Sequence, residues 1–235
     1  MMSAKRLLLV AATAFAMSGA ASASTYSVTG DFSASANPNG VWKYGWLTQL
    51  GGAFTQYTEK VSATDGGAIQ VWDDPTIKFW GTPSVWNNAS GSAFISGTVN
   101  YSTGWAGFHP GQYNQMSDFR FTAPAAGTYA LAFDFQGADV VGTSTDVHIY
   151  SNGSDLFSAT ITGYGDATRR SFAGTVFLNA GQMVDIAVGY GTNSLWSDST
   201  AVRGTIAAVP EPASYALMLA GLGLLGFIAR RRKTN

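Results

Sequence analysis

Asp146, His148 and Tyr150 alternate with Val147 and Ile149. In an extended chain the three polar residues share one face and the apolar pair the other. A carboxylate, an imidazole and a phenol in a row can hydrogen-bond sugar hydroxyls; the same stripe equally describes an antiparallel strand with one wet face and no ligand. His109 lies in Gly107-Phe108-His109-Pro110-Gly111, a loop by its glycines and proline. It reads as a structural or ligand-contacting residue. With no cysteine and one other histidine in the chain, zinc has little basis. Among the seven tryptophans, Trp86 beside Asn87-Asn88, Trp105 between Gly104 and Ala106-Gly107, and Trp196 before Ser197-Asp198 read as loop-borne. A loop tryptophan presents a flat apolar face of the kind that packs on a sugar ring, with burial in a core as the alternative for each. Trp42 and Trp46 share a strand face with Tyr44, the pattern of a buried cluster.

Patterns for catalysis are sparse. Neither G-x-S-x-G nor H-E-x-x-H occurs, and Glu59 is the only glutamate between residues 24 and 208. A glycosidase could use two aspartates, but spacing alone pairs none of them. Asp73-Asp74, Asp139, Asp146, Asp155 and Asp198 are hard oxygen donors near turns, which suits a structural calcium, yet their spacing matches no EF-hand loop. The expectation is a protein that is not an enzyme and has no cofactor apart from such a calcium. Residues 24–208 hold thirteen acids against seven bases, a net charge of −6 hidden by the near-neutral total. Nucleic acid and other polyanions are disfavoured as partners, whereas neutral polymers or divalent cations fit.

These residues need strands to position them. Ser117–Thr122 and Thr128–Gln136 each alternate large apolar with polar residues, and further strands are predicted at Asp146–Tyr150, Leu156–Thr162, Ser171–Leu178, Val184–Tyr190 and Val202–Ile206. Turn residues separate them at intervals of about 8–12 residues, the spacing of an all-β sandwich or barrel. The earlier part is less regular, with strands expected at Tyr26–Phe32, Phe54–Val61, Ala68–Trp72 and Thr76–Trp80. Under 70 residues long, it is marginal as a separate domain and is assigned to the same sandwich. The absence of cysteine leaves stability to the core.

Five segments resemble a recurring bacterial extracellular domain. They are Asn37-Pro38-Asn39-Gly40 with Trp42, Tyr44 and Trp46; His109-Pro110-Gly111; Ala123-Pro124-Ala125-Ala126-Gly127-Thr128-Tyr129; Asp146-Val147-His148-Ile149; and Leu178-Asn179-Ala180-Gly181-Gln182. That domain is similar to the galactose-binding-like jelly rolls of carbohydrate-binding modules. The resemblance implies a jelly-roll-like antiparallel β-sandwich and bears on fold more than on activity.

Both ends read as address labels. Residues 1–23 run from Lys5 and Arg6 through an apolar stretch to Ala21-Ser22-Ala23, the order of a secretory signal peptide, so the sandwich would span 24–208. At the other end, Pro210-Glu211-Pro212 precedes seventeen uncharged residues, 213–229, and then Arg230-Arg231-Arg232-Lys233. Such a helix would be about 26 Å long, near the lower limit for a membrane span, and the basic cluster keeps its far side cytoplasmic. The glycines Gly221, Gly223 and Gly226 match G-x-G-x-x-G without the strand or acidic residue that a dinucleotide site needs.

The tail 209–235 resembles the PEP-CTERM sorting signal of Gram-negative bacteria that make exopolysaccharide, through Pro210, Glu211 and Pro212, the glycine-bearing span and the basic terminus. The resemblance implies recognition by an exosortase near Pro-Glu-Pro, a transient inner-membrane anchor, and release or transfer to the cell surface or extracellular matrix. A permanent single-span anchor is the alternative. Together these readings predict an exported, non-catalytic surface, matrix or biofilm protein that binds exopolysaccharide through Trp86, Trp105, His109, Asp146, His148, Tyr150 and Trp196. A structural matrix protein without a ligand and a polysaccharide hydrolase are the competing readings.

Overall fold

Among the described residues, strong alternation in the second half of the chain produces seven long strands, and nine shorter ones precede them. In the computed structural model the described residues are 24–62, 68–192, 194, 196–210, 218–226 and 230. The predicted signal peptide, residues 1–23, lies outside them. The strands are β1 (Thr25–Ser27), β2 (Trp42–Leu47), β3 (Phe54–Gln56), β4 (Glu59–Ser62), β5 (Ile69–Asp73), β6 (Ser84–Asn88), β7 (Phe94–Ser96) and β8 (Val99–Tyr101). They continue as β9 (Ala106–His109), β10 (Met116–Thr122), β11 (Gly127–Gly137), β12 (Thr143–Ser151), β13 (Ser154–Gly163), β14 (Gly165–Leu178), β15 (Met183–Gly189) and β16 (Thr200–Ala208).

Among the described residues these strands form two large antiparallel sheets and a separate two-stranded one, β7-β8. One large sheet runs β14-β11-β16-β9-β6-β5-β4, with β1 also paired to β16; the other runs β13-β12-β15-β10-β2-β3. From β9 onward the chain crosses between sheets so that one holds β9-β16-β11-β14 and the other β10-β15-β12-β13. That order is the eight-stranded jelly roll of two interlocked Greek keys. Of the early strands, β4, β5 and β6 extend the first sheet beyond β9, and β2 and β3 extend the second beyond β10.

The inner faces carry the aromatic supply. Phe119 on β10 pairs in register with Tyr44 on β2 and Ile186 on β15, and its ring meets Phe108 at 4.8 Å and Tyr44 at 5.6 Å. Trp42 and Tyr44 are buried and Trp46 packs against the same core, as the shared strand face implied.

Three early expectations are corrected. The strand expected at Tyr26–Phe32 stops at Ser27, because Asp31 turns back: its carboxylate accepts the Ser27 N–H at 2.7 Å and its own N–H donates to the Ser27 carbonyl. Phe54–Val61 divides into β3 and β4, which lie in different sheets. Tyr57 at the crossing is fully buried and hydrogen-bonds Ser117 at 2.8 Å. Thr76–Trp80 is a turn, not a strand.

Candidate functional site

Alternation sends Val85 of β6 and Phe108 of β9 into the core between the sheets. Ser84, Trp86 and His109 therefore face the opposite side of the larger sheet. The β6–β9 register pairs Ser84 with His109 and Trp86 with Gly107. Gly107 has to be glycine, since a Cβ there would lie 2.2 Å from the Trp86 ring. The β7–β8 hairpin folds over this outer face. It is tied down where Asn100 N–H donates to Ala138 O and Val140 N–H to Thr98 O, both at 2.8 Å, and where the rings of Trp86 and Tyr101 meet edge to face at 4.8 Å. A small second core of Ile69, Trp86, Trp105, Ala138 and Ala201 lies beneath.

Beside that core is a cavity of about 220 Å³. Its rings are Trp80, Trp86, Tyr101 and Trp196, and its polar groups include Thr82, Ser84, His109, Asp139, Ser197 and Ser199. Trp80 is 81% exposed and Trp196 59%, and Phe79 meets each of them edge to face at 6.3 Å. Trp80 sits at the tip of a four-residue turn in which Phe79 and Thr82 exchange backbone hydrogen bonds of 2.8 and 3.1 Å. Both central residues have positive φ, 54° at Trp80 and 78° at Gly81, as a type I′ turn requires. Asparagine usually fills the first of these positions, because a bulky side chain is strained there. Ser197, which also lines the cavity, is in the same left-handed region at φ 63°. Such strain, about 1–3 kcal/mol per residue, concentrates at functional sites.

The loop bearing Trp196 is anchored at both ends by carboxylates. Gly191 N–H donates to Asp146 at 2.7 Å, Ser144 N–H to Asp198 at 3.3 Å, and Ser199 N–H to Asp139 Oδ2 at 3.1 Å. Inside the cavity, His109 Nδ1 lies 2.9 Å from the Pro110 carbonyl. A carbonyl only accepts, so Nδ1 carries the hydrogen and Nε2 is left as an acceptor. Burial lowers the imidazole pKa and keeps the ring neutral. Burial also pushes the Tyr101 phenol up to about 12, with the charge of Asp139 adding to the effect. The Trp86 indole N–H and Asp139 Oδ1 are buried without a hydrogen-bond partner among the described residues.

Trp86, His109 and Trp196 are thus brought together, while the other expected site residues lie elsewhere. Trp105 lies in a loop as expected and Trp86 does not, and both are buried, at 6% and 3% exposed. Trp86 is in β6, and the Trp105 ring lies under the Arg203 guanidinium, 4.5 Å from its centroid. His109 closes β9 instead of standing in a loop.

Asp146, His148 and Tyr150 do share the outer face of the smaller sheet. His148, however, is clamped between Asp146 at 2.9 Å and Asp155 at 3.2 Å. Burial opposes its charge, but the two carboxylates outweigh burial and hold the His148 pKa above its ordinary value. Tyr150 lines a separate cavity of about 470 Å³ with Arg120 and Asp185, which pair with each other through two hydrogen bonds of 2.6 and 2.9 Å. Nearby Asp118 is fully buried, and burial drives its carboxyl well above the usual range.

Sequence reasoning missed Phe79, Trp80 and Tyr101 as site residues, and considered Asp139 only as a calcium ligand. The Gly81-Thr82-Pro83 sequence after Trp80 was the available signal for a turn there. Among the described residues, no group of three or more His, Asp or Glu could hold a metal ion. The aspartates considered for calcium are dispersed over ion pairs, turn contacts and loop anchors: Asp73 pairs with Lys78, Asp74 accepts from Thr76 and Trp46, and Asp146 and Asp155 hold His148.

The tail is described in part. Pro210 is included, Glu211 and Pro212 lie outside, and residues 218–226 are helical. Among the described residues no helix is long and apolar enough to cross a membrane, and much of the expected 213–229 span falls outside them.

Comparison with known proteins gives two kinds of result. No curated protein matches the chain. Among solved structures, a family 35 carbohydrate-binding module from Clostridium thermocellum is similar over 49% of this chain and 87% of its own, with 17% identity and a TM-score of 0.31. A CBM51 module from Clostridium perfringens GH95, in complex with methyl-galactose, is similar over 80% and 94%, with 13% identity and a TM-score of 0.32. A CBM4 structure covers 65% and 96%, with 17% identity and a TM-score of 0.33. Similarity at this level carries nothing about ligand. Residues 208–233 match the PEP-CTERM protein-sorting motif, so the chain carries a C-terminal sorting tail that marks it as an exported protein.

Proposed function

We propose that the jelly-roll domain binds glycan in the cavity between Trp80 and Trp196, as a non-catalytic module displayed at the cell surface or in the extracellular matrix. The observation that carries this reading is the placing of two strongly exposed tryptophans beside a cavity lined with hydroxyls, a neutral imidazole and a carboxylate. Ring faces cover the apolar face of a sugar, and the polar groups take its hydroxyls. Trp80 is held in a strained turn where asparagine would be easier, which speaks for a use of its ring. A cavity of about 220 Å³ is below the roughly 300–1,000 Å³ of drug-sized ligand pockets and suits one sugar ring rather than a chain segment. His109 is tied by its Nδ1–H to a backbone carbonyl, which fixes the ring and leaves Nε2 to accept a hydrogen bond from a sugar hydroxyl.

The proposed organisation is a signal peptide 1–23, the sandwich 24–208 and a sorting tail 209–235. Residues 213–229 would span the inner membrane until an exosortase acts near Pro210-Glu211-Pro212. Exopolysaccharide of the producing cell is the proposed ligand source.

The test is calorimetric titration of the full chain, purified in detergent, against a panel of oligosaccharides and exopolysaccharide, beside Trp80→Asn. Saturable binding that is lost in a folded Trp80→Asn supports the site. No binding by a folded wild-type chain overturns the reading in favour of a structural matrix protein, and turnover of a panel member would establish a hydrolase instead.

A further inference from the structure

We propose that the ligand of the Trp80–Trp196 cavity carries an ammonium group, as an amino sugar with a free amine does, held by Asp139 within the surrounding rings; this rests on the glycan-binding reading above. Asp139 is 1% exposed, and its two carboxylate oxygens differ. Oδ2 accepts the Ser199 N–H, whereas Oδ1 is buried without a partner among the described residues. A buried carboxylate is costly unless paired and hydrogen-bonded. No lysine or arginine is among the described residues that line the cavity, so its walls supply no counter-charge.

The other walls favour a cation. Trp80, Trp86, Tyr101 and Trp196 surround the space, and aromatic ring faces attract a positive group. His109 adds no competing charge, because its Nδ1–H is spent on Pro110 and burial keeps the ring neutral. Its Nε2, like Asp139 Oδ1, accepts a hydrogen bond, and an ammonium group donates three. The unpartnered Trp86 N–H is then the donor for a hydroxyl oxygen of the same sugar. An acidic sugar is disfavoured by the same carboxylate and by the net charge of −6 on residues 24–208.

The experiment titrates the full chain with three tetrasaccharides of one linkage, built from glucosamine, N-acetylglucosamine or glucose. The glucosamine form is expected to bind at least about tenfold more tightly than either neutral form. Its advantage disappears in Asp139→Asn, which keeps an acceptor for Ser199 N–H, and, in the wild type, when pH is raised through the pKa of the sugar amine. Should Asp139→Asn fail to fold, the wild-type pH titration decides alone. Equal or tighter binding of a neutral tetrasaccharide overturns the ammonium assignment while leaving the glycan site standing. Failure of every glycan in the wider panel overturns both.

Discussion

Trp80 combines two features that a stable fold alone does not call for: a left-handed backbone and a large ring left in solvent. Trp80→Asn is expected to leave the fold intact and to raise stability by up to about 1 kcal/mol, while removing sugar affinity. Urea midpoints beside calorimetric titration check the two halves; a loss of stability together with binding would make Trp80 a packing residue. Gly107 gives the opposite case, because its Cβ position is already occupied by Trp86 and by the Thr200 carbonyl. Gly107→Ala is expected to cost about 1–3 kcal/mol and to displace Trp86, visible as a change in tryptophan fluorescence.

His148 is read through its charge. Its folded pKa is raised by Asp146 and Asp155, so its contribution to stability is full below the unfolded value near 6.5 and is lost as pH climbs through the raised value. Urea midpoints followed from about pH 6 to about pH 9 should fall more in the wild type than in His148→Gln; parallel slopes would count against the clamp.

At the scale of elements, the long strands were legible because one face is buried and the other is not. On β12 buried and half-buried residues alternate from Thr143 to Ser151, and residue type shows this from Asp146 to Tyr150. β6 was not legible, since all five of its residues are buried, the odd face in the main core and the even face under the β7–β8 hairpin. Burial on both sides erases the alternation that marks a strand, so Trp86 read as a loop residue. The Phe79–Thr82 turn escaped for a different reason: tryptophan stands where Asn-Gly would have announced it. Packing across elements sets the largest single energies. Phe119 joins β10 to Tyr44 of β2, Phe108 of β9 and Phe32, and Phe119→Ala is expected to cost about 3–5 kcal/mol by denaturant unfolding. A cost below 1 kcal/mol would show that the two sheets pack less firmly there than the ring contacts imply.

At the scale of the whole molecule, the sandwich closes on itself before the tail begins. Ala208 N–H donates to Ser24 O and Val209 N–H to Thr128 O, and Ala23–Val209 forms its own compact unit. Removing residues 210–235 is therefore expected to leave the thermal midpoint unchanged, measured by circular dichroism; a large drop would mean that the tail supports the fold. The acidity of the domain, the sorting tail and the all-β class followed from the order of residues alone, because charge, local motifs and period-two patterning are properties of neighbouring positions. The Trp80–Trp196 cavity did not. Trp80, Trp86, His109, Asp139 and Trp196 come from five separate stretches of chain, and only the β6–β9 pairing, the β7–β8 hairpin and the carboxylate-anchored loop bring them to one place. Proximity across that much sequence depends on strand order and register, which no local pattern encodes.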